Sequence, residues 1–396
     1  MLPSRSVAFG FLAGALLAAA PAAASLLNVR DYATPQAAID AAHDGDRVYF
    51  PAGIYLIPDS GLVVEKHLEL FGDGIGRGET GTILKPSSVT GDGNVIVLRS
   101  HGAEPIGYVT IRDLRIANNG PPGTPGAGRG YGILLRQGAR SPGVVDRVIV
   151  ERVVIAAMAA DGICIEGGDQ YAVILSSLTD VEVIGCRGNG LVLANGAVIS
   201  VVRGYFIGNR LAGIFATAVA SLRLDQVSLE RNQDRPAVDD PKYDTQLRIK
   251  LCHGFNALGC YFENFAVAAP RGRTTAIVIE GCRGGVLQGC YFTQASYLPA
   301  SRGVLATGGA STITFGANSY DRVGTTIQID DSAEAQSHVV FPQCAIRAVP
   351  TDTSAYSLRV GSRTAGNVLL LPRASATDST QRYFDGLRWR NAVPGR

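Results

Sequence analysis

From Gln233 to Gln246 the chain reads Gln-Asp-Arg-Pro-Ala-Val-Asp-Asp-Pro-Lys-Tyr-Asp-Thr-Gln, and Arg248, Lys250 and His253 follow at once. A second polar stretch, residues 269–275, brings Arg271 and Arg273. These types suit one kind of chemistry. Removing a proton next to a carboxylate takes a base, and Lys250, His253, Tyr243 or Arg248 can hold that role by type. It also takes positive charge, to neutralise the carboxylate while the carbanion forms. Arg271 and Arg273 carry such charge, and Asp239, Asp240 and Asp244 are oxygen donors suited to a hard cation. The insertion therefore carries the parts that proton removal beside a carboxylate needs, set against the plainer alternative of a solvated charged loop.

Hydrolysis of a glycosidic bond asks for a different geometry, two carboxyls ~5–5.5 Å apart for retention or ~6.5–9.5 Å for inversion. Runs led by Gly132, Gly162, Gly190 and Gly213 can be aligned, which sets Asp161 between Tyr131 and Asn189, and Glu166 between Arg136 and Ala194. Neither acid has an acidic neighbour in its column, and five residues of strand separate the two by ~16 Å at ~3.3 Å per residue. As a catalytic acid, Asp161 would need a partner from Asp239, Asp240 or Asp244. Tyr131, Arg136 and Glu166, with Arg271 and Arg273, are the candidates for holding sugar. The alternative for Arg136 and Glu166 is an exposed ion pair worth ~0–1 kcal/mol.

The frame that must position these groups repeats itself. Cys252, Gly254, Gly259, Cys260, Tyr261 and Phe262 return as Cys282, Gly284, Gly289, Cys290, Tyr291 and Phe292, with 282 − 252 = 30. The glycine-led runs are spaced 162 − 132 = 30, 190 − 162 = 28 and 213 − 190 = 23. A period of this size, filled with short β-branched runs, predicts a β-solenoid whose equivalent positions stack, with loops of varied length inserted at fixed corners. Asn209, Asn232 and Asn264, followed by Gln294, share one corner and are expected to be structural, because stacked amides bond along the axis and tolerate left-handed backbone. Cys252 over Cys282 and Cys260 over Cys290, ~4.7–4.9 Å apart, are most simply buried thiols, although that spacing also lies within reach of a disulfide. Thr34 and Pro35 open a short helix through Ala42, which is expected to cover the otherwise open first turn. Beyond about residue 320 the period fades, and 346–396 reads as a C-terminal β extension or cap.

The 396 residues carry 36 Lys and Arg against 34 Asp and Glu, a net charge of +2 that leaves no nucleic-acid footprint. Arg5, the apolar run Val7 to Ala20, and Pro21-Ala22-Ala23-Ala24 predict a signal peptide over 1–24, cut before Ser25. The apolar run is shorter than the ~20 residues of a membrane span. A secreted or periplasmic protein is expected.

Asn28-Val29-Arg30-Asp31-Tyr32, the helix, then Leu68-Glu69-Leu70-Phe71-Gly72-Asp73-Gly74 and Thr82-Ile83-Leu84, resembles the opening of the pectate-lyase superfamily, the rhamnogalacturonase/epimerase-like pectate lyase domain. Here Ala33-Thr34-Pro35 replaces the longer Gly-Ala-x-Gly-x-x-x-Asp-Asp-Thr stretch of that group. The resemblance implies an all-β, single-stranded right-handed parallel β-helix over 25–345 with its N-terminal cap at 28–50. It also implies action on an acidic, uronate-containing polysaccharide by β-elimination or hydrolysis, with the sugar chain along the side of the coil, Ca2+ as electrophile in a lyase, and a monomer or homotrimer. Arg248-Ile249-Lys250 resembles the Arg-Ile-Lys of polygalacturonases, but Gly-His-Gly is absent and His253 follows the tripeptide instead of preceding it. The Asp-Pro-His-Asp of mannuronan epimerases is absent too, so a non-catalytic glycan-binding or envelope β-helix is the rival reading.

Overall fold

The computed structural model describes residues 24–76, 80–88, 93–100, 106–118, 128–136, 145–167, 173–232, 245–264 and 275–329, and short strands at 338–340, 345–347, 356–360, 368–369, 382–384 and 389–391. Alternation makes the strands. In Ile214–Asp225, Ile214 and Ala216 are buried, then Val219, then Leu222 and Leu224, with Ser221 and Arg223 exposed. The phase slips by one residue at Ala218 and again at Ser221, where φ is 52° and 57°. Left-handed residues turn the chain without ending it, so one long run lines three directions in succession.

A single such run buries one edge only against its own kind, so each coil lies in parallel register on the next. Leu191–Val202 pairs with Ile214–Asp225, Leu193 opposite Ala216 and Ile199 opposite Leu222. Ile214–Asp225 pairs in turn with Thr245–Lys250 and His253–Leu258, and these with Thr275–Glu280 and Arg283–Gln288. The result is a right-handed parallel β-helix. Glu166 stands opposite Arg136 on one side and Ala194 on the other, as the aligned glycines require.

Four left-handed corners recur in each of three coils. They fall at Asn195, Val198, Arg203 and Gly208, then at Ala218, Ser221, Gln226 and Arg231, then at Leu251, Gly254, Gly259 and Asn264. The next coil places glycine at Gly281, Gly284 and Gly289, where no Cβ opposes the conformation. Between the corners run three main faces. Sheet one holds Leu191 to Ala194 and their stacked equivalents, sheet two Ile199 to Val202, and sheet three Tyr205–Ile207 with Ser228–Glu230, Tyr261–Glu263 and the start of Tyr291–Thr307.

Inside, like stacks on like. Phe262 and Phe292 lie 4.8 Å apart at 7°, and Phe292 and Tyr320 4.6 Å apart at 8°. Each such pair contributes about 0.5–1.5 kcal/mol beyond its buried area. Cys252 and Cys282 are buried free thiols, the Cys252 amide donating to Cys282 Sγ at 3.4 Å. The hydrogen bond with the neighbouring thiol and burial push Cys282 and Cys290 up, so neither ionises at neutral pH. After the last corner a buried amide ladder closes the coil. Asn209 Nδ2 donates to Asn232 Oδ1 at 2.9 Å, and Asn232 Nδ2 donates to Gln246 Oε1 one step further on.

The N-terminal end is covered by a helix, Pro35–Ala41, with Thr34 Oγ1 accepting from the Ala37 amide at 3.1 Å. Gln36 reaches from it to the first strand of sheet one, Leu62–Val64, donating to the Val63 carbonyl at 3.1 Å and accepting from its amide at 2.8 Å. One side chain thus supplies what a preceding strand would. Lys66 Nζ donates to the Asp40 and Ala42 carbonyls, both at 2.7 Å, at the helix C-terminus, where a cation is favoured. Parallel pairing extends past residue 330, Tyr356–Val360 lying on Ser319–Ile329. The last pairing, Arg382–Phe384 with Trp389–Asn391, is antiparallel. Residues 1–23 of the leader expected over 1–24 lie outside the described residues.

One corner column carries alternating charge: Asp113, Arg152, Asp180, Arg203, all left-handed. Arg152 grips Asp113 through Nε at 2.6 Å and Nη2 at 2.9 Å, and Arg203 grips Asp180 at 2.6 and 2.7 Å. The hydrogen bonds from Arg152 and Arg203 hold both carboxyls below the usual 3.8. A depressed folded pKa contributes stability that is complete above the unfolded value and is lost as pH falls through the folded one. Thermal melts across a pH series should therefore show Tm dropping below pH 3.8. The Arg152→Ala/Arg203→Ala double variant should start from a lower Tm at neutral pH and fall less steeply through that window.

Candidate functional site

Sheet one turns alternate residues outward, and stacking converts them into two columns. The first runs Leu134, Cys164, Val192, Phe215, Arg248 and Val278. Its early members are apolar and buried although they lie outside the coil, with Tyr131 and Phe215 packed against them. The second column runs Arg136, Glu166, Ala194, Thr217, Lys250 and Glu280. In the first column the polar part therefore begins where the apolar step ends, at Arg248 after Phe215.

There Arg248 and Lys250 meet Glu280. Arg248 is buried between Phe215 and Val278, and its Nη2 pairs with Glu280 Oε2. Lys250 Nζ holds the other oxygen, Oε1, at 3.0 Å. Burial pushes the Glu280 carboxyl up, but its hydrogen bonds to Lys250 and Arg248 more than offset this and hold it below the usual 4.5. At neutral pH the group is an ionised carboxylate between two cations, with one net positive charge. Such a cluster can receive an anion in exchange for, or alongside, its own carboxylate.

The other expected site residues fall in different places. Asp161 Oδ1 accepts from the Asn189 amide at 2.5 Å and from Asn189 Nδ2 at 3.0 Å, and Asn189 Oδ1 accepts from the Ala212 amide at 3.1 Å. That makes Asp161 part of the corner amide network. His253 lies beyond the Leu251 corner, exposed on sheet two in register with Ala220 and Arg283. Glu166 is half-buried in the second column, opposite the backbone of Arg136. Tyr131 belongs to the apolar step. Asp239, Asp240, Tyr243, Asp244, Arg271 and Arg273 lie outside the described residues. Among the described residues no three His, Cys, Asp or Glu could hold a metal ion together, and no helix is long and apolar enough to cross a membrane.

Glu280, the centre of the cluster, is the residue that reading the sequence passed over. The signal was present: the period that sets Cys282 on Cys252 sets Glu280 on Lys250, since 280 − 250 = 30.

Residues 143–320 match the family described as the right handed beta helix region. The chain has the fold of a right-handed parallel β-helix. Among solved β-helices, a DFA-IIIase from Arthrobacter chlorophenolicus shares 13% identity at a TM-score of 0.60, over 82% of this chain and 83% of that one. An Acinetobacter phage tailspike shares 10% identity at 0.58, over 93% of this chain and 64% of its own. Tailspike protein 2 of an Escherichia coli bacteriophage, CAB120, shares 8% at 0.56, over 87% and 46%. The β-helix thus spans less than two thirds of either tailspike. No curated protein matches it in sequence. At these identities the likeness is one of fold.

Removing the central carboxylate should expose the strain of the cluster. Glu280→Ala takes from the buried Arg248 the carboxylate that its Nη2 pairs with and should cost about 1–3 kcal/mol. Lys250→Ala removes a side chain that is 35% exposed and should cost within about 1 kcal/mol. Urea denaturation of both variants checks the difference.

Proposed function

We propose that this β-helix acts on an acidic, uronate-containing polysaccharide, laid along the outer face of sheet one and cleaved by β-elimination or hydrolysis. The observation that carries the reading is the convergence of Arg248 and Lys250 on Glu280 beside the exposed edge of the Phe215 step. An extended sugar chain offers a flat apolar ring face and a carboxylate at a fixed interval. Phe215 suits the first, and Arg248 with Lys250 suits the second.

Between the two reactions the cluster favours elimination. Glu280 has Lys250 and Thr307 as its neighbours in register, so no second carboxyl stacks with it as two-carboxylate hydrolysis requires. Elimination needs one acceptor for the proton and positive charge on the uronate carboxylate. Arg248 and Lys250 would supply the charge, and Glu280, kept ionised by both, is an acceptor at the same place. Asp239, Asp240 and Asp244 are the residues that would hold Ca2+ and add to that neutralisation. The expected leader peptide would deliver the chain to the periplasm or the exterior, where such polymers lie.

The test is a screen of the mature protein against pectate, alginate, rhamnogalacturonan and hyaluronan, with and without calcium, read by ultraviolet absorbance of unsaturated uronate and by reducing ends. Elimination gives both signals together; hydrolysis gives reducing ends alone. Arg248→Ala and Glu280→Gln should each lower kcat/KM by about 10²-fold or more, with melting curves showing that the variants are folded. Binding of an acidic glycan without either signal would make this a non-catalytic glycan-binding β-helix. That second reading has one observation in its favour, since both cations already have a carboxylate partner in the protein.

A further inference from the structure

Sheet three presents a different chemistry on its outer face. Tyr261 and Tyr291 stand in register on adjacent coils, their rings 5.7 Å apart at 31°, and Tyr291 is 37% exposed. Tyr205 lies two coils before Tyr261 in the same column. In the next outward column Glu230 pairs with Glu263. Each carboxylate is fixed by two donors. Tyr205 Oη donates to Glu230 Oε2 at 3.1 Å and Ser228 Oγ to Oε1 at 2.9 Å; Tyr261 Oη donates to Glu263 Oε2 at 2.9 Å and Asn264 Nδ2 to Oε1 at 2.9 Å.

We propose that this face is a second glycan-binding surface, separate from sheet one, and that it takes a neutral polysaccharide. Half-exposed tyrosine rings in a row offer the apolar platform on which a sugar ring lies. Carboxylates held at the edge of that platform accept hydrogen bonds from sugar hydroxyls. An Asp or Glu carboxylate has about four lone-pair sites, so Glu230 and Glu263, with two donors each, retain capacity for a ligand. Their hydrogen bonds lock the rotamers beforehand, which lowers the ordering cost of binding.

Charge selects the class of glycan. Glu182 precedes Tyr205 in the tyrosine column and Asp321 follows Glu263 and Thr293 in the other. Arg322, at the adjoining corner, is engaged by Asp321 at 2.9 Å. No Lys or Arg stands among the described outward positions of 205–207, 228–230, 261–263, 291–293 and 319–321. Basic residues border these columns, the exposed Arg231 at the corner after Glu230 and Arg347 in register with Asp321, but within the columns the carboxylates disfavour a uronate chain, whereas hydroxyls meet acceptors. Sheet one has the opposite balance, with two cations on Glu280.

The stacked pair Glu230 and Glu263 also invites a hydrolytic reading, one strand spacing being close to the ~5–5.5 Å of a retaining pair. Their surroundings argue otherwise. Acid and base roles need environments that push the two groups apart, and here each has a tyrosine hydroxyl and one further donor. The tyrosines respond alike: burial and the hydrogen bond to glutamate push both Tyr205 and Tyr261 up to about 12. The face is built to hold, and the chemistry belongs elsewhere.

The experiment is affinity electrophoresis of the full mature chain in gels containing a neutral glucan, mannan or xylan, with polygalacturonate run in parallel. At least one neutral polymer should retard the protein, with a tyrosine ultraviolet difference spectrum on titration. Tyr291→Ala and Tyr261→Ala should each weaken that binding by about tenfold, and Tyr291→Ala should melt as the parent does. Glu230→Lys/Glu263→Lys should lose the neutral polymer. Absence of retardation by all the neutral polymers, or retardation that survives Tyr261→Ala/Tyr291→Ala, overturns the proposal. Retardation by polygalacturonate reports on sheet one alone, so the two readings fail separately.

Discussion

Parallel stacking at one strand's width, about 4.7–4.9 Å, governs this molecule: every side chain must live with the residue at its own position one coil away. The interior meets that condition by identity, with Phe262 on Phe292 and thiol on thiol. The buried corner meets it with amides that both donate and accept, as Asn209 and Asn232 do. The surface meets it by alternation of charge, as in Asp113, Arg152, Asp180 and Arg203. Where like charges do stack, at Glu230 and Glu263, hydroxyl and amide donors share the load. Unpaired repetition of a charge along the axis would cost more with each coil added.

The same condition decides where loops can go. From Leu191 to Ile214 the coil takes 214 − 191 = 23 residues, from Ile214 to Leu247 it takes 33, and from Leu247 to Ile277 it takes 30. The left-handed corners keep their spacing through these changes, with 195, 198, 203 and 208 echoed by 218, 221, 226 and 231. All of the extra length therefore enters between the last corner and the return to sheet one. Arg248, Lys250 and Glu280 lie immediately after those entries, so the segment that varies most in length adjoins the face with the most reactive side chains.

Much of this architecture was legible in the sequence because stacking writes itself as a period. The repeat of Gly259-Cys260-Tyr261-Phe262 at 289–292 gave the fold, and the glycine-led runs gave the columns of Asp161 and Glu166 correctly. The Thr34-Pro35 helix start was readable from capping chemistry alone. The site was harder for a physical reason. A search for residue types along the chain finds Arg248, Lys250 and His253 as neighbours, yet a left-handed corner at Leu251 sends His253 to another face. Glu280, thirty residues distant by 280 − 250, is the true neighbour. Asp161 looked catalytic because the sequence does not show that its oxygen is occupied by Asn189.

A stack of identical coils has no natural reason to stop, and its open ends are matched to any other copy of themselves. Two features of the described coils bear on this. At the start, the Gln36 carboxamide occupies the donor and the acceptor of Val63, so the first exposed rung of the ladder has no hydrogen bonds left to offer there. Toward the other end, Arg382–Phe384 pairs with Trp389–Asn391 in antiparallel register, so that edge is already taken by a strand of opposite sense. The helix and the antiparallel pair thus each occupy a strand edge of the described coils that would otherwise be open to another strand.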